Sequence, residues 1–61
     1  MNKKKLRSGI EVDANEYYAL LEWKDSNMKE FIVWCDCNYL SYSINDLTYP
    51  IYQQLIHYTK I

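Results

Sequence analysis

Residues that break regular structure are almost absent from this sequence, and their scarcity constrains the fold more than any other feature. Among 61 residues there is one glycine, Gly9, and one proline, Pro50. Because these two residue types punctuate most turns, we expect mainly regular structure joined by few loops. The length allows one domain. We therefore expect a flexible basic arm over residues 1–8 and a single small domain over residues 9–61.

The side chains are too apolar for a disordered segment, since 49% are hydrophobic and 16% are aromatic. No apolar run approaches the roughly 20 residues that cross a bilayer. No apolar stretch follows Arg7, as a secretory signal would require. The sequence therefore predicts a cytoplasmic protein.

The first half of the chain is ambiguous between helix and strand. Ile10 to Val12 alternates as a short strand does. Residues 14–24 follow a capping-box pattern, Asp13 to Glu16, that predicts a helix. A strand from Glu16 to Lys24 competes with that helix. The run from Glu30 to Cys35 is rich in β-branched and aromatic residues, and the polar loop before it favours a hairpin.

The second half predicts a C-terminal helix from about Thr48 to Tyr58. Residues 38–43 either continue the second strand or form a third, edge strand. Pro50 fits the first turn of the helix. Apolar residues then fall at helical spacing: Ile44, Leu47, Ile51, Leu55 and Tyr58. The predicted fold class is α+β, a small antiparallel β-sheet of two or three strands with one C-terminal α-helix packed across it.

Residues that carry chemistry do not form a catalytic or metal-binding pattern in this sequence. Cys35 and Cys37 would share one face of a strand as small buried hydrophobic residues. His57 supplies only a third zinc ligand where a structural site needs four. No nucleophile motif surrounds His57, and no glycine-rich phosphate loop is present. We expect no enzyme, no metal site and no cofactor.

The aromatic surplus predicts protein binding. One helix cannot cover both faces of the predicted sheet, and tyrosine and tryptophan dominate binding hot spots. The composition is similar to that of small accessory proteins of bacteriophages and mobile elements that block host enzymes or defence systems. The first hypothesis is a homodimeric inhibitor that binds a host protein. Its predicted contact residues are Trp34, Tyr39, Tyr42, Asp36 and Asp46.

Charge supports an alternative hypothesis. The first seven residues carry four positive charges, at Lys3, Lys4, Lys5 and Arg7. Residues 8–61 carry three lysines against eight acids, a net charge of −5. The basic cluster could contact phosphate, with exposed tyrosines stacking on bases. The alternative is thus a small nucleic-acid-binding regulator.

Overall fold

The computed structural model describes residues 2–60, and it confirms the α+β class within that range. A two-stranded antiparallel sheet comes first and three α-helices follow. The elements are β1 (Lys3–Lys5), β2 (Glu11–Asp13), α1 (Ala14–Ser26), α2 (Met28–Cys37), a 3-10 turn (Ile44–Asp46) and α3 (Tyr49–Thr59). The predicted single C-terminal helix is thus one of three, and the helix that packs against both strands of the sheet is α1.

The sheet is a hairpin that pairs β1, from the segment expected to form a flexible arm, with β2, where a short strand was expected. Lys4 lies opposite Val12 in the register, and Lys3 and Lys5 lie opposite Asp13 and Glu11. Gly9 turns the chain with a φ of 98°, which a residue without a Cβ adopts without steric cost. The expected arm is therefore part of the fold, because β1 pairs with β2 and Leu6, which follows β1, is buried in the core.

Residues 14–24 form a helix, so the strand interpretation is wrong. Asp13 has extended backbone angles, and its carboxylate accepts a hydrogen bond from the Glu16 N–H at 2.9 Å. This is the N-cap half of the capping box, which satisfies one of the unpaired amides of the first turn. Tyr17 and Leu20 are the buried residues of α1. The cap thus marks the helix start better than the alternating pattern marks a strand.

Residues 30–35 also form helix, which makes the predicted hairpin wrong. Phe31 and Cys35 are four residues apart and both are buried, whereas Val33, their neighbour on a strand face, is 60% exposed. The polar run expected to be a loop is the end of α1 and the start of α2, with Asn27 alone between them. Burial of one helical face has overridden the β propensity of these residues.

The C-terminal helix is confirmed, with Pro50 in its first turn. Its inward residues are Tyr52 and Leu55, while Tyr58 is about half exposed and Ile51 is partly buried. Residues 38–43 contain no strand, so the prediction that they continue the second strand or form a third one is wrong. The core is one cluster: Leu6, Val12, Tyr17, Leu20, Phe31, Cys35, Ile44, Leu47, Tyr52 and Leu55.

Candidate protein-binding surface

The loop after α2, residues 38–43, presents Tyr39 to solvent in an unusual backbone conformation. We call this segment the tyrosine loop. The N–H of Leu40 donates to the Cys35 carbonyl at 2.9 Å, and the N–H of Tyr39 donates to the Asp36 carbonyl at 3.3 Å. Together these bonds form a Schellman motif, whose left-handed position is usually glycine. Here Tyr39 occupies it with a φ of 57°.

Tyr39 is 96% exposed, so its ring gains no packing within the chain. A left-handed conformation costs a residue with a Cβ about 1 kcal/mol or more relative to glycine. Two hydrogen bonds hold it there, one of them to the carbonyl of the buried Cys35. The tyrosine loop thus displays an aromatic side chain on a fixed support, at a cost that the stability of the chain does not explain.

Tyr42 is the second aromatic residue of the tyrosine loop. Its hydroxyl donates a short hydrogen bond to the Asp36 carboxylate in the last turn of α2. This bond, together with the negative charge of Asp36, raises the pKa of Tyr42. The bond orients the ring, which is more than half exposed. Tyr39, Tyr42 and Asp36, three of the five predicted contact residues, therefore meet at one end of α2.

Trp34 does not belong to this exposed group. It is partly buried, packs against the core, and its ring centroid lies 6.5 Å from that of Tyr58. Tyr58 also contacts Trp23 edge-on, at 6.2 Å, and its hydroxyl donates to Glu30 at 2.9 Å. That bond is the main cause of the raised pKa of Tyr58. Trp34 is therefore part of the packing between α1, α2 and α3, and replacing it would disturb the fold.

Asp46, the fifth predicted contact residue, is engaged by Arg7. The guanidinium donates to both carboxylate oxygens, from Nε at 2.7 Å and from Nη2 at 3.0 Å. It also donates to the Ser43 hydroxyl at 3.2 Å. A bidentate pair of this kind has fixed geometry. Arg7 and Asp46, which the two hypotheses assigned to different partners, thus bind each other and tie the hairpin turn to the 3-10 turn.

The ion pair between Arg7 and Asp46 should make the stability of the fold depend on pH. Hydrogen bonding to Arg7 lowers the pKa of Asp46 below its ordinary value of 3.8. A carboxyl group with a lowered folded-state pKa stabilises the fold above its unfolded-state pKa, and that contribution is lost as pH falls through the folded-state pKa. We expect Asp46→Asn to lower the melting temperature at pH 7, and the difference from the wild type to shrink as the pH falls through the folded-state pKa. Thermal denaturation followed by circular dichroism measures this; equal melting temperatures at pH 7 would contradict it.

The remaining lysines of the basic cluster lie on the hairpin. Lys4 is half-buried, with its Nζ 5.7 Å from the centroid of the Tyr17 ring. Lys3 and Lys5 are exposed on the opposite face, across from acidic residues. Nucleic-acid binding through Lys3, Lys4, Lys5 and Arg7 stays a prediction, to which this arrangement adds no support.

The outer side of α2 carries three exposed apolar residues, Met28, Ile32 and Val33. We call it the outer face of α2, and it contains Met28, Lys29, Ile32, Val33, Asp36 and Cys37, all of them exposed. Residues at this spacing cover about half of the circumference of a helix. Sequence reasoning missed this face, because a strand would have divided the same residues between two sides.

Other chemically capable groups lie apart from this surface. Burial raises the pKa of the Cys35 thiol. The Tyr52 hydroxyl is buried without a hydrogen-bond partner among residues 2–60, and burial, with nearby Glu16, raises its pKa. Across residues 2–60 no set of three His, Cys, Asp or Glu side chains is placed to bind a metal ion. Within that range, no helix has the length and apolarity to cross a membrane.

Comparisons with protein-family models, with curated proteins and with solved structures found no match to this chain.

Proposed function

We propose that this chain acts by binding another protein and that Tyr39 is the principal contact. One observation carries the proposal: Tyr39 occupies a left-handed position that glycine would fill at less cost, yet its ring touches almost nothing in the chain. Strained residues persist where the surrounding structure holds them, and they cluster at binding sites. A rigid tyrosine also provides a large contact area at low conformational cost.

Charge indicates the chemistry of the partner. Asp36 lies beside the two tyrosines, and residues 8–61 carry a net charge of −5. A complementary surface would hold an apolar pocket for the Tyr39 ring, surrounded by basic side chains. Charged groups at the rim would mainly accelerate association and set specificity. Enzymes that process nucleic acids have basic surfaces, so we propose an inhibitor of such a host enzyme, of the type that phages and mobile elements encode.

The test compares two glycine substitutions. Tyr39→Gly removes the ring and relieves the left-handed strain, so the unfolding free energy should rise by about 0.5–1 kcal/mol. Lys60→Gly is the matched control, because Lys60 ends α3 with a φ of 56°. It should stabilise the fold by a similar amount. Urea denaturation followed by circular dichroism measures both changes.

A binding measurement distinguishes Tyr39→Gly from Lys60→Gly. Immobilised wild type and Lys60→Gly should retain the same protein from a lysate of the native host, whereas Tyr39→Gly should retain at least tenfold less, the effect of losing a hot-spot side chain. Loss of binding by a variant that is more stable cannot result from unfolding. Equal retention by all three proteins would show that Tyr39 is not the contact.

A further inference from the structure

The outer face of α2 is self-complementary in its order of residues. Lys29 lies near the helix start and Asp36 near its end, and each is the same distance from the midpoint between Ile32 and Val33. The apolar pair at the centre is exposed, with Val33 at 60%. A face with a basic end, an apolar centre and an acidic end matches its own copy when that copy runs in the opposite direction.

We infer that the outer face of α2 binds a second copy of this chain through a two-fold axis that passes between Ile32 and Val33. Each of these two residues then packs against its own counterpart near the axis. Lys29 lies against Asp36 of the second copy, and the reciprocal pair forms at the other end. Such an isologous contact uses the same patch on both subunits. The antiparallel helix dipoles also favour this direction.

The charge pattern argues for a second copy over an unrelated partner. Asp36 accepts the Tyr42 hydroxyl through one carboxylate oxygen, Oδ1. Lys29 forms no salt bridge within residues 2–60, where the pair formed is Arg7 with Asp46. Both charges on the face are therefore available, and each has its complement at the matching position of another α2.

The interface between the two α2 helices is small, so the test must reach high protein concentrations. A helix of ten residues is about 15 Å long, so the interface falls at the low end of specific interfaces. The inference shares Asp36 with the proposed protein-binding surface, but it does not depend on Tyr39, because the tyrosine loop lies beyond the helix end. In the dimer, the two tyrosine loops lie at opposite ends of the helix pair and present two Tyr39 rings.

Charge reversal tests the register. We expect the wild type to approach twice 7.4 kDa as its concentration rises from about 10 μM to 1 mM, measured by light scattering and sedimentation equilibrium. Lys29→Asp and Asp36→Lys should each raise the dimer dissociation constant by about tenfold or more, since two attractions become two repulsions. The double variant Lys29→Asp/Asp36→Lys should restore the wild-type constant.

Two control variants separate an effect on the dimer from an effect on the tyrosine loop. Tyr42→Phe removes the hydrogen bond to Asp36 without changing charge and should leave the dimer intact, so an effect of Asp36→Lys cannot be assigned to that bond. Tyr39→Gly should also leave the mass unchanged. A wild type that stays at 7.4 kDa up to 1 mM, or a double variant as weak as the single ones, overturns the inference. Loss of the target with Tyr39→Gly would still support the proposed function.

Discussion

Phe31→Ala should lose about 3–5 kcal/mol of unfolding free energy, the range observed when a buried aromatic ring is removed from a core. Phe31 is 1% exposed and belongs to the core cluster to which all three helices contribute, with Lys24 Nζ 5.2 Å from its ring centroid. A domain of this size is stabilised by about 3–9 kcal/mol in total. We therefore expect this variant to be largely unfolded at 25 °C, as urea titration with circular dichroism would show.

The matched substitution is Val33→Ala, two residues further along the chain. On a strand, Phe31 and Val33 would share a face and both substitutions would be costly. On the helix, Val33 points outward, so its replacement should change stability by no more than about 0.5 kcal/mol. The comparison is best made at low micromolar concentration, where association through α2 contributes little. A large loss from Val33→Ala would favour the strand and contradict this structure.

Leu6→Ala should cost about 2–4 kcal/mol, although it lies in the segment whose composition predicts a mobile tail. Leu6 is 3% exposed in the turn between β1 and β2, and its N–H donates to the Ile10 carbonyl at 2.9 Å. Deleting residues 2–7 removes that side chain, β1 and Arg7 together. We expect the shortened chain to show no cooperative unfolding transition. Lys5→Ala, an exposed change in the same strand, should be close to neutral.

The deletion also bears on the nucleic-acid hypothesis. If residues 2–7 were an independent arm, their removal would flatten the salt dependence of nucleic-acid binding and leave the urea midpoint unchanged. A deletion variant with an unaltered midpoint would show that β1 does not contribute to the fold. If the shortened chain unfolds, its failure to bind any ligand says nothing about phosphate contacts. Charge-neutral substitutions such as Lys3→Gln and Lys5→Gln are then the appropriate probes.

The sequence predicted the elements whose signals are local. The C-terminal helix follows from Pro50 in the first turn and the apolar stripe after it, and β2 follows from a short alternation. The capping box that begins at Asp13 also predicted a helix, but the alternating pattern from Glu16 to Lys24 predicted a strand over nearly the same residues. Where two local signals conflict, packing against distant residues decides, and no single segment contains that information.

The hairpin formed by β1 and β2 was not predicted, for a different reason. Three successive lysines have low strand propensity, and the strand is favoured by its pairing with β2 and by the burial of the neighbouring Leu6. A signal was present, because Gly9 separates the run of lysines from a segment with acids at matching positions, Glu11 and Asp13. Reading those two segments as partners would have predicted the pairing.

The candidate site was predicted in part. Tyr39, Tyr42 and Asp36 lie together, while Trp34 packs inward and Asp46 binds Arg7. No pattern in the sequence predicted the left-handed backbone of Tyr39, because that position normally contains glycine. The wrong strand assignment had a second consequence, since it hid the outer face of α2. Periodicity sets which side chains share a face, so an error there changes the predicted surface as well as the fold.

Asn27 limits how this molecule can vary in length. Its N–H donates to the Trp23 carbonyl at 2.9 Å and ends α1, and its side-chain amide donates to the same carbonyl. Its own carbonyl accepts the Phe31 N–H at 2.9 Å, in the first turn of α2. One residue inserted there would rotate every α2 side chain by about 100°. Phe31 would leave the interior, and both the helix pair and the display of Tyr39 would be lost. Related chains should therefore tolerate substitutions along α1 and α2 but keep the distance between them constant.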